Sequence, residues 1–231
     1  MILQWYIHFD VFAGMISGNG TILGMEWFKA QHDYDSQLAA EKPDDINIKY
    51  RERFSRFRLV AADMAIMFAR KGKNTISDEE FDAQCKTFAA ELASWGESLD
   101  PMLRDPSKLV TDFSGAPPAD PDDIVDPFDP NILYGGELFP TNHLTLQISG
   151  LHLMFLYQYY EMHGKPRPPQ VQELALKMCQ LIEAIEYYPG SPPGILLGVQ
   201  ANLGIAAAFL PMDEKHIMWA RKKLAAMETL G

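Results

Sequence analysis

Apolar residues recur three and four positions apart in several stretches of the chain, which is the spacing of one face of an α-helix. One such stripe covers residues 46–68 and follows Asp45, a suitable N-cap residue. A second stripe covers residues 81–99 and follows Ser77 and Glu80, which have the spacing of a capping box. Because a short link joins the stripes, we predict an antiparallel helix pair. Each stripe could instead be the seam of an intermolecular coiled coil, although its aromatic residues are broad for that role.

The remaining apolar segments also favour helices, and no segment alternates convincingly with a period of two. A short helix or turn is expected at residues 25–28, and Asp213 is expected to cap a last helix. The fold class is therefore predicted to be all-α, an array of about seven or eight helices without a significant sheet. The other predicted helices cover residues 2–17, 141–163, 169–185 and 195–210.

Residues 100–140 break this helical pattern. They contain eight of the sixteen prolines and eight aspartates, and prolines at this density forbid a regular helix. The segment also contains large apolar side chains, so we expect Phe128 and its neighbours to dock on the helical body while residues 114–120 stay mobile. An acidic, disordered tether is the rival interpretation.

Composition limits the classes of partner. The 231 residues are 47% hydrophobic and carry a net charge of −11, so the chain can bury a core but repels phosphate backbones. We expect a single domain over residues 1–231, cut from a longer protein, with no direct nucleic-acid contact and no membrane segment. Cys85 and Cys179 are predicted to be buried free thiols.

Two stretches are similar to fungus-specific transcription factor domains. Residues 5–13 with a following glycine break and Glu26-Trp27-Phe28 resemble the Trp, Asp-Val, Gly, Trp-Phe stretch of these domains, and residues 209–213 with 218–225 resemble their end. The resemblance implies a regulatory domain that in some members senses a small molecule. It also implies a nuclear full-length protein with a six-cysteine binuclear zinc cluster that contacts DNA. No such cluster lies in this sequence, so zinc is implied only for the absent DNA-binding region and no cofactor is expected here.

The sequence contains no HExxH, GxSxG, phosphate-loop or GxGxxG motif, so we predict that the chain is not an enzyme and has no catalytic or metal-binding residues. His32, Asp33 and Asp35 are interpreted as surface residues of a polar loop. The basic run 221–223 is either a recognition patch or, equally well, a solvated helix face.

Polar side chains on otherwise apolar helices are the candidates for a ligand pocket, since buried polar groups need partners. Each could instead bond to backbone or solvent. The expected partner is a small-molecule effector, or else a second copy of the chain or a transcriptional coregulator. The alternative function is a helical protein–protein interaction or dimerisation module without a ligand. The candidate pocket residues are His152, Gln147, Tyr159, Gln200 and Asn202.

Overall fold

The computed structural model describes residues 10–11, 13–15 and 17–228, and over these residues the predicted all-α class is confirmed. The described ranges contain no strand, only an isolated antiparallel bridge between Leu109 and Tyr134. Most of the helix predicted over residues 2–17 lies outside the described residues, although residues 10, 11, 13–15 and 17 are helical. The helices with both ends described are α1 (Met25–Glu41), α2 (Ile46–Gly72), α3 (Asp78–Ser94), α4 (Phe139–Met162), α5 (Pro169–Tyr187), α6 (Ile195–Ala207) and α7 (Glu214–Glu228).

Local signals in the sequence set several helix ends. The Asp45 side chain accepts hydrogen bonds from the backbone N–H groups of Asn47 and Ile48, and Ser77 accepts one from Glu80. Pro169 opens α5, where its missing N–H removes no helical bond. These three starts lie where the sequence predicted them.

The prediction of a short helix or turn at residues 25–28, followed by a polar loop, was wrong, because α1 covers both. This helix has 17 residues, and its buried residues include Phe28 and Asp35. The prediction missed its length because the rest of its sequence is mainly polar. The Asp35 carboxylate is buried and accepts hydrogen bonds from Arg51 Nη2 at 2.8 Å and Gln31 Nε2 at 2.9 Å. The predicted polar loop is therefore incorrect for His32, Asp33 and Asp35, which all lie in α1. Asp35 is also not a surface residue, because an ion pair offsets its burial.

The chain divides into two compact units. The first contains the described residues up to Leu103 together with Gln158–Lys165, and the second contains Arg104–Tyr157 together with the described residues from Pro166 onward. Helix α4 therefore contributes residues to both. That residues 1–231 act as a single domain stays a prediction.

In the first unit, α1 and α3 pack against α2. The predicted antiparallel pair is confirmed for α2 and α3, because ion pairs join Arg70 to Glu80 near the link and Arg56 to Glu91 farther from it. The rings of Phe68 and Phe81 pack edge to face between the two helices, with their centroids 5.6 Å apart. Cys85 lies in this core as a buried free thiol, as predicted.

The second unit combines most of α4 with α5, α6 and α7, and α6 packs against both α5 and α7. Its fully buried side chains come from each of these helices and from the proline-rich segment; they include Leu133, Leu144, Ile182, Leu203 and Trp219. Cys179 is the second buried free thiol. Helix α6 contains several small residues, which allow it to pack closely against α5 and α7.

The predicted docking of the proline-rich segment is confirmed within the second unit. Phe128 packs edge-on against Tyr187 of α5, with ring centroids 5.5 Å apart, and Leu133 is completely buried. The Val110 N–H donates to the Leu133 carbonyl at 2.8 Å, which closes the segment at its base. The expected mobility of residues 114–120 stays a prediction.

Candidate functional site

A polar strip lies where α4 faces α6 in the second unit. His143, Gln147 and Gly150 are spaced four and three residues apart, so they share one face of α4. A Cβ atom at Gly150 would lie 3.3 Å from Asn202 Oδ1, and one at Gly198 would lie 3.7 Å from His143 Cε1. The missing side chains of the two glycines therefore leave room for Asn202 against α4 and for His143 against α6.

Asn202 is the most unusual residue of the strip. Its side chain is 0% exposed, and neither Oδ1 nor Nδ2 has a hydrogen-bond partner in the described part of the chain. The surroundings are apolar, because the Cβ position of Gly150 also lies 3.5 Å from Met178 Cε and 3.8 Å from Ile205 Cδ1. A buried polar group without a partner costs about 1–3 kcal/mol, so this amide lowers the stability of the fold.

Gln147 adds a second incompletely bonded amide. Its side chain is buried, and Nε2 lies 2.9 Å from Nε2 of His143, so the amide can donate only if the imidazole proton is on Nδ1. Oε1 has no partner among the described residues. If the amide oxygen and nitrogen were exchanged, the oxygen would contact His143 and the nitrogen would lack a partner, so one polar atom stays unpaired in either orientation.

The other sequence candidates do not join this strip. His152 is half-buried, and its position two residues after Gly150 places it on another face of α4. Burial lowers the pKa of His152 below its ordinary value, which favours the neutral imidazole at pH 7. Gln200 is exposed on α6, two residues before Asn202.

Tyr159 belongs to the first unit. Its ring lies 4.3 Å from the His163 ring, whose Nδ1 contacts the Tyr159 carbonyl at 2.7 Å. His163 Nε2 is 3.1 Å from Asp82 Oδ1. Tyr159 thus belongs to a separate aromatic and charged group, and the structure brings together only Gln147 and Asn202 of the five candidates.

Sequence reasoning missed a buried charge cluster that lies between α5 and α7. Glu183 is completely buried; its Oε2 accepts from Lys223 Nζ at 2.5 Å, and its Oε1 accepts from the Trp219 indole N–H. Lys223 also donates to Glu186 Oε2 at 2.7 Å. Of the two interpretations of residues 221–223, the solvated face fails for Lys223, which is buried. The available signal was Glu183 itself, a charged residue with apolar neighbours on both sides in α5.

The pKa values of both Glu183 and Lys223 lie above their ordinary values. Burial raises the pKa of Glu183 to about 7, although the hydrogen bonds from Lys223 and Trp219 oppose that rise. Burial alone would lower the pKa of Lys223, but the bonds to Glu183 and Glu186 outweigh it and leave the pKa above its ordinary value. The cluster thus combines a charged lysine with a carboxyl group that can gain or lose a proton near neutral pH.

The described ranges hold no group of three or more His, Cys, Asp or Glu side chains that could bind a metal ion. None of the helices in these ranges has both the length and the apolar character needed to cross a bilayer. Comparisons with protein-family models, with curated proteins and with solved structures found no match to this chain.

Proposed function

We propose that this chain is the effector-sensing regulatory domain of a fungal zinc-cluster transcription factor, and that α4 and α6 form its effector site. The regulatory role rests on the resemblance of residues 5–28 and 209–225 to fungus-specific transcription factor domains. The observation that carries the sensing role is the fully buried Asn202 amide, which has no partner among the described residues. In this proposal, DNA binding, zinc and nuclear localisation belong to the rest of the protein.

A buried, unsatisfied amide has a direct energetic link to sensing. A ligand that supplies one donor and one acceptor between α4 and α6 would recover the cost of about 1–3 kcal/mol for each unpaired group. The same ligand would gain little in an arrangement where the amide is already bonded. Such a difference in affinity is what shifts a protein between two conformations.

The binding half of the proposal is tested by melting the purified chain with and without the small-molecule fraction of a fungal cell extract. We expect the extract to raise the midpoint, because a ligand bound only to the folded state stabilises it. Asn202→Leu should abolish the rise, whereas Gln200→Leu, an exposed position on the same helix, should keep it. A midpoint that the extract does not change, or an equal rise in Asn202→Leu, would contradict the proposal.

The regulatory half is tested by placing the chain between a heterologous DNA-binding domain and an activation domain in a reporter strain. Reporter output should change between defined nutrient media, and Asn202→Leu should remove that change while Gln200→Leu preserves it. Output that is constant in all media would refute a regulatory role for the chain.

A dimerisation or interaction module is the second candidate, and the exposed face of α1 favours it. Trp27 and Tyr34 are 54% and 59% exposed and, seven residues apart, lie on one side of the helix. Light scattering on the purified chain would then give a mass above that of a monomer, and Trp27→Ser with Tyr34→Ser would return it to the monomer. A monomeric wild-type chain would exclude self-association through α1.

A further inference from the structure

A cleft in the first unit has a charge pattern that no part of the proposed function uses. It lies between α1, α2 and the short 3-10 helix Pro101–Leu103, and its volume is about 230 Å³. That volume is below the roughly 300–1,000 Å³ of sites for drug-sized ligands, so it suits a molecule the size of one amino acid. The lining residues are Ser36, Ala39, Lys49, Glu52, Arg53, Asp100 and Leu103.

Two of the four charged residues neutralise each other. Lys49 donates to Oδ2 of Asp100, and Oδ1 of Asp100 accepts from the Met102 N–H at 2.9 Å. The hydrogen bond from Lys49 is the main reason that the pKa of Asp100 lies below its ordinary value, so the pair stays charged at neutral pH. What remains for a ligand is one cation and one anion, Arg53 and Glu52.

Arg53 is held in a fixed position with unused donor capacity. Its guanidinium carbon lies 4.6 Å above the Trp95 ring, and Nη2 donates to Ser98 Oγ at 2.7 Å and to the Trp95 carbonyl at 3.5 Å. Nε is buried and has no acceptor among the described residues. Because Nε is enclosed by protein, a ligand carboxylate would meet the Nη groups, which can form two parallel hydrogen bonds with it.

The Glu52 carboxylate is bonded far less completely. Its Oε1 lies 4.0 Å from His32 Nδ1, at the outer limit of an ion pair, and the side chain is 23% exposed. His32 Nδ1 is also 3.3 Å from Ser55 Oγ, which provides a closer partner. Glu52 is therefore open to a ligand ammonium group, and it adjoins Arg53 on α2.

We propose that this cleft binds a free α-amino acid, with the ligand carboxylate on Arg53, its ammonium group on Glu52 and its side chain against Ala39 and Leu103. The proposal goes beyond the effector site between α4 and α6, because every lining residue belongs to the first unit. The chemistry requires both charges on one small molecule. Glu52 would repel a simple anion, and Arg53 would repel a simple cation.

The experiment measures the melting midpoint of the purified chain with each of the standard L-amino acids in turn. At least one should raise it, and titration calorimetry then compares the best binder with the amine that lacks its carboxylate and the acid that lacks its ammonium group. We expect each analogue to bind about tenfold more weakly or worse, since each loses one charge-assisted hydrogen-bonding group. Failure of every amino acid to bind, or equal binding of the analogues, would overturn the proposal.

Substitutions locate the binding site. Glu52→Gln should weaken amino-acid binding about tenfold while leaving the analogue without an ammonium group unaffected. Arg53→Lys keeps the charge but loses the two-pronged geometry, so it should weaken binding of the amino acid and of that same analogue. Glu97→Gln, at an exposed position in the same unit, is the matched control and should bind as the wild type does. Wild-type affinity in Glu52→Gln would refute the site even if the chain binds amino acids elsewhere.

Discussion

Lys223 and Glu183 form an ion pair that is almost completely removed from solvent, with 2.5 Å between Nζ and Oε2. The pair joins α7 to α5, and the neighbouring Lys222 makes a solvent-exposed ion pair with Asp120. Adjacent lysines on one helix therefore allow buried and exposed ion pairs to be compared directly.

Lys223→Met should lower the free energy of unfolding by about 3–5 kcal/mol, because it leaves Glu183 buried without its cation. Lys222→Met should change it little, since water solvates Asp120 in its place. Chemical denaturation of both variants measures the difference. Glu183→Leu combined with Lys223→Met should regain much of the loss, and failure to do so would show that the cost does not come from an unpaired charge.

The raised pKa of Glu183 predicts that stability depends on pH. The folded pKa of about 7 lies above the ordinary 4.5, so the folded state holds a proton that the unfolded state releases between these values. This contribution is fully present below about pH 4.5 and is lost as the pH rises through about 7. It is on the order of 1–3 kcal/mol.

Glu183→Gln removes this titration while keeping an acceptor for the Trp219 indole. The free energy of unfolding, measured by denaturation at pH values from 5 to 8, should therefore fall less steeply with pH in the variant than in the wild type. Parallel stability profiles for the two proteins would show that Glu183 is already ionised throughout this range.

Gly150→Ala tests whether Asn202 is packed against α4. The added Cβ would lie 3.3 Å from Oδ1 of Asn202, whereas a Cβ at Gly204 would meet nothing within 4 Å. Gly204→Ala should stabilise the chain by about 0.5–1 kcal/mol through helix propensity, and Gly150→Ala should gain less or be destabilising. In an Asn202→Ala background the two substitutions should become equivalent, and a persistent difference would place the obstruction elsewhere.

The sequence predicted the elements of the fold better than it predicted the site. Periodicity and caps located α2, α3 and α5, because their apolar stripes and the Asp45 and Ser77 caps act locally. The length of α1 was missed because Asp35 is buried by pairing with Arg51, a contact that no local pattern indicates. Of the pocket candidates, Gln147 and Asn202 face a helix–helix contact and Gln200 does not, which depends on how α6 is rotated against α4.

Tyr187 should anchor the proline-rich segment to α5. Its hydroxyl donates to Asp123 Oδ2 at 2.7 Å and accepts from the Asp120 N–H at 2.9 Å. Tyr187→Phe should lower the free energy of unfolding by about 1 kcal/mol and speed proteolysis near Asp120. Tyr188→Phe is the control, because its hydroxyl makes no hydrogen bond to the described residues; equal effects of the two would show that the hydroxyl does not anchor the segment.

The two ends of residues 114–119 are anchored on neighbouring tyrosines, since Phe113 packs against Tyr188 and Asp120 bonds to Tyr187. Closing a loop becomes only about 0.6 kcal/mol costlier when its length doubles. Residues 117–119 are exposed, so extra residues there would displace no buried side chain. Natural insertions and deletions should therefore be tolerated at this place, and an epitope or a protease site inserted between Pro117 and Pro118 should leave the second unit folded.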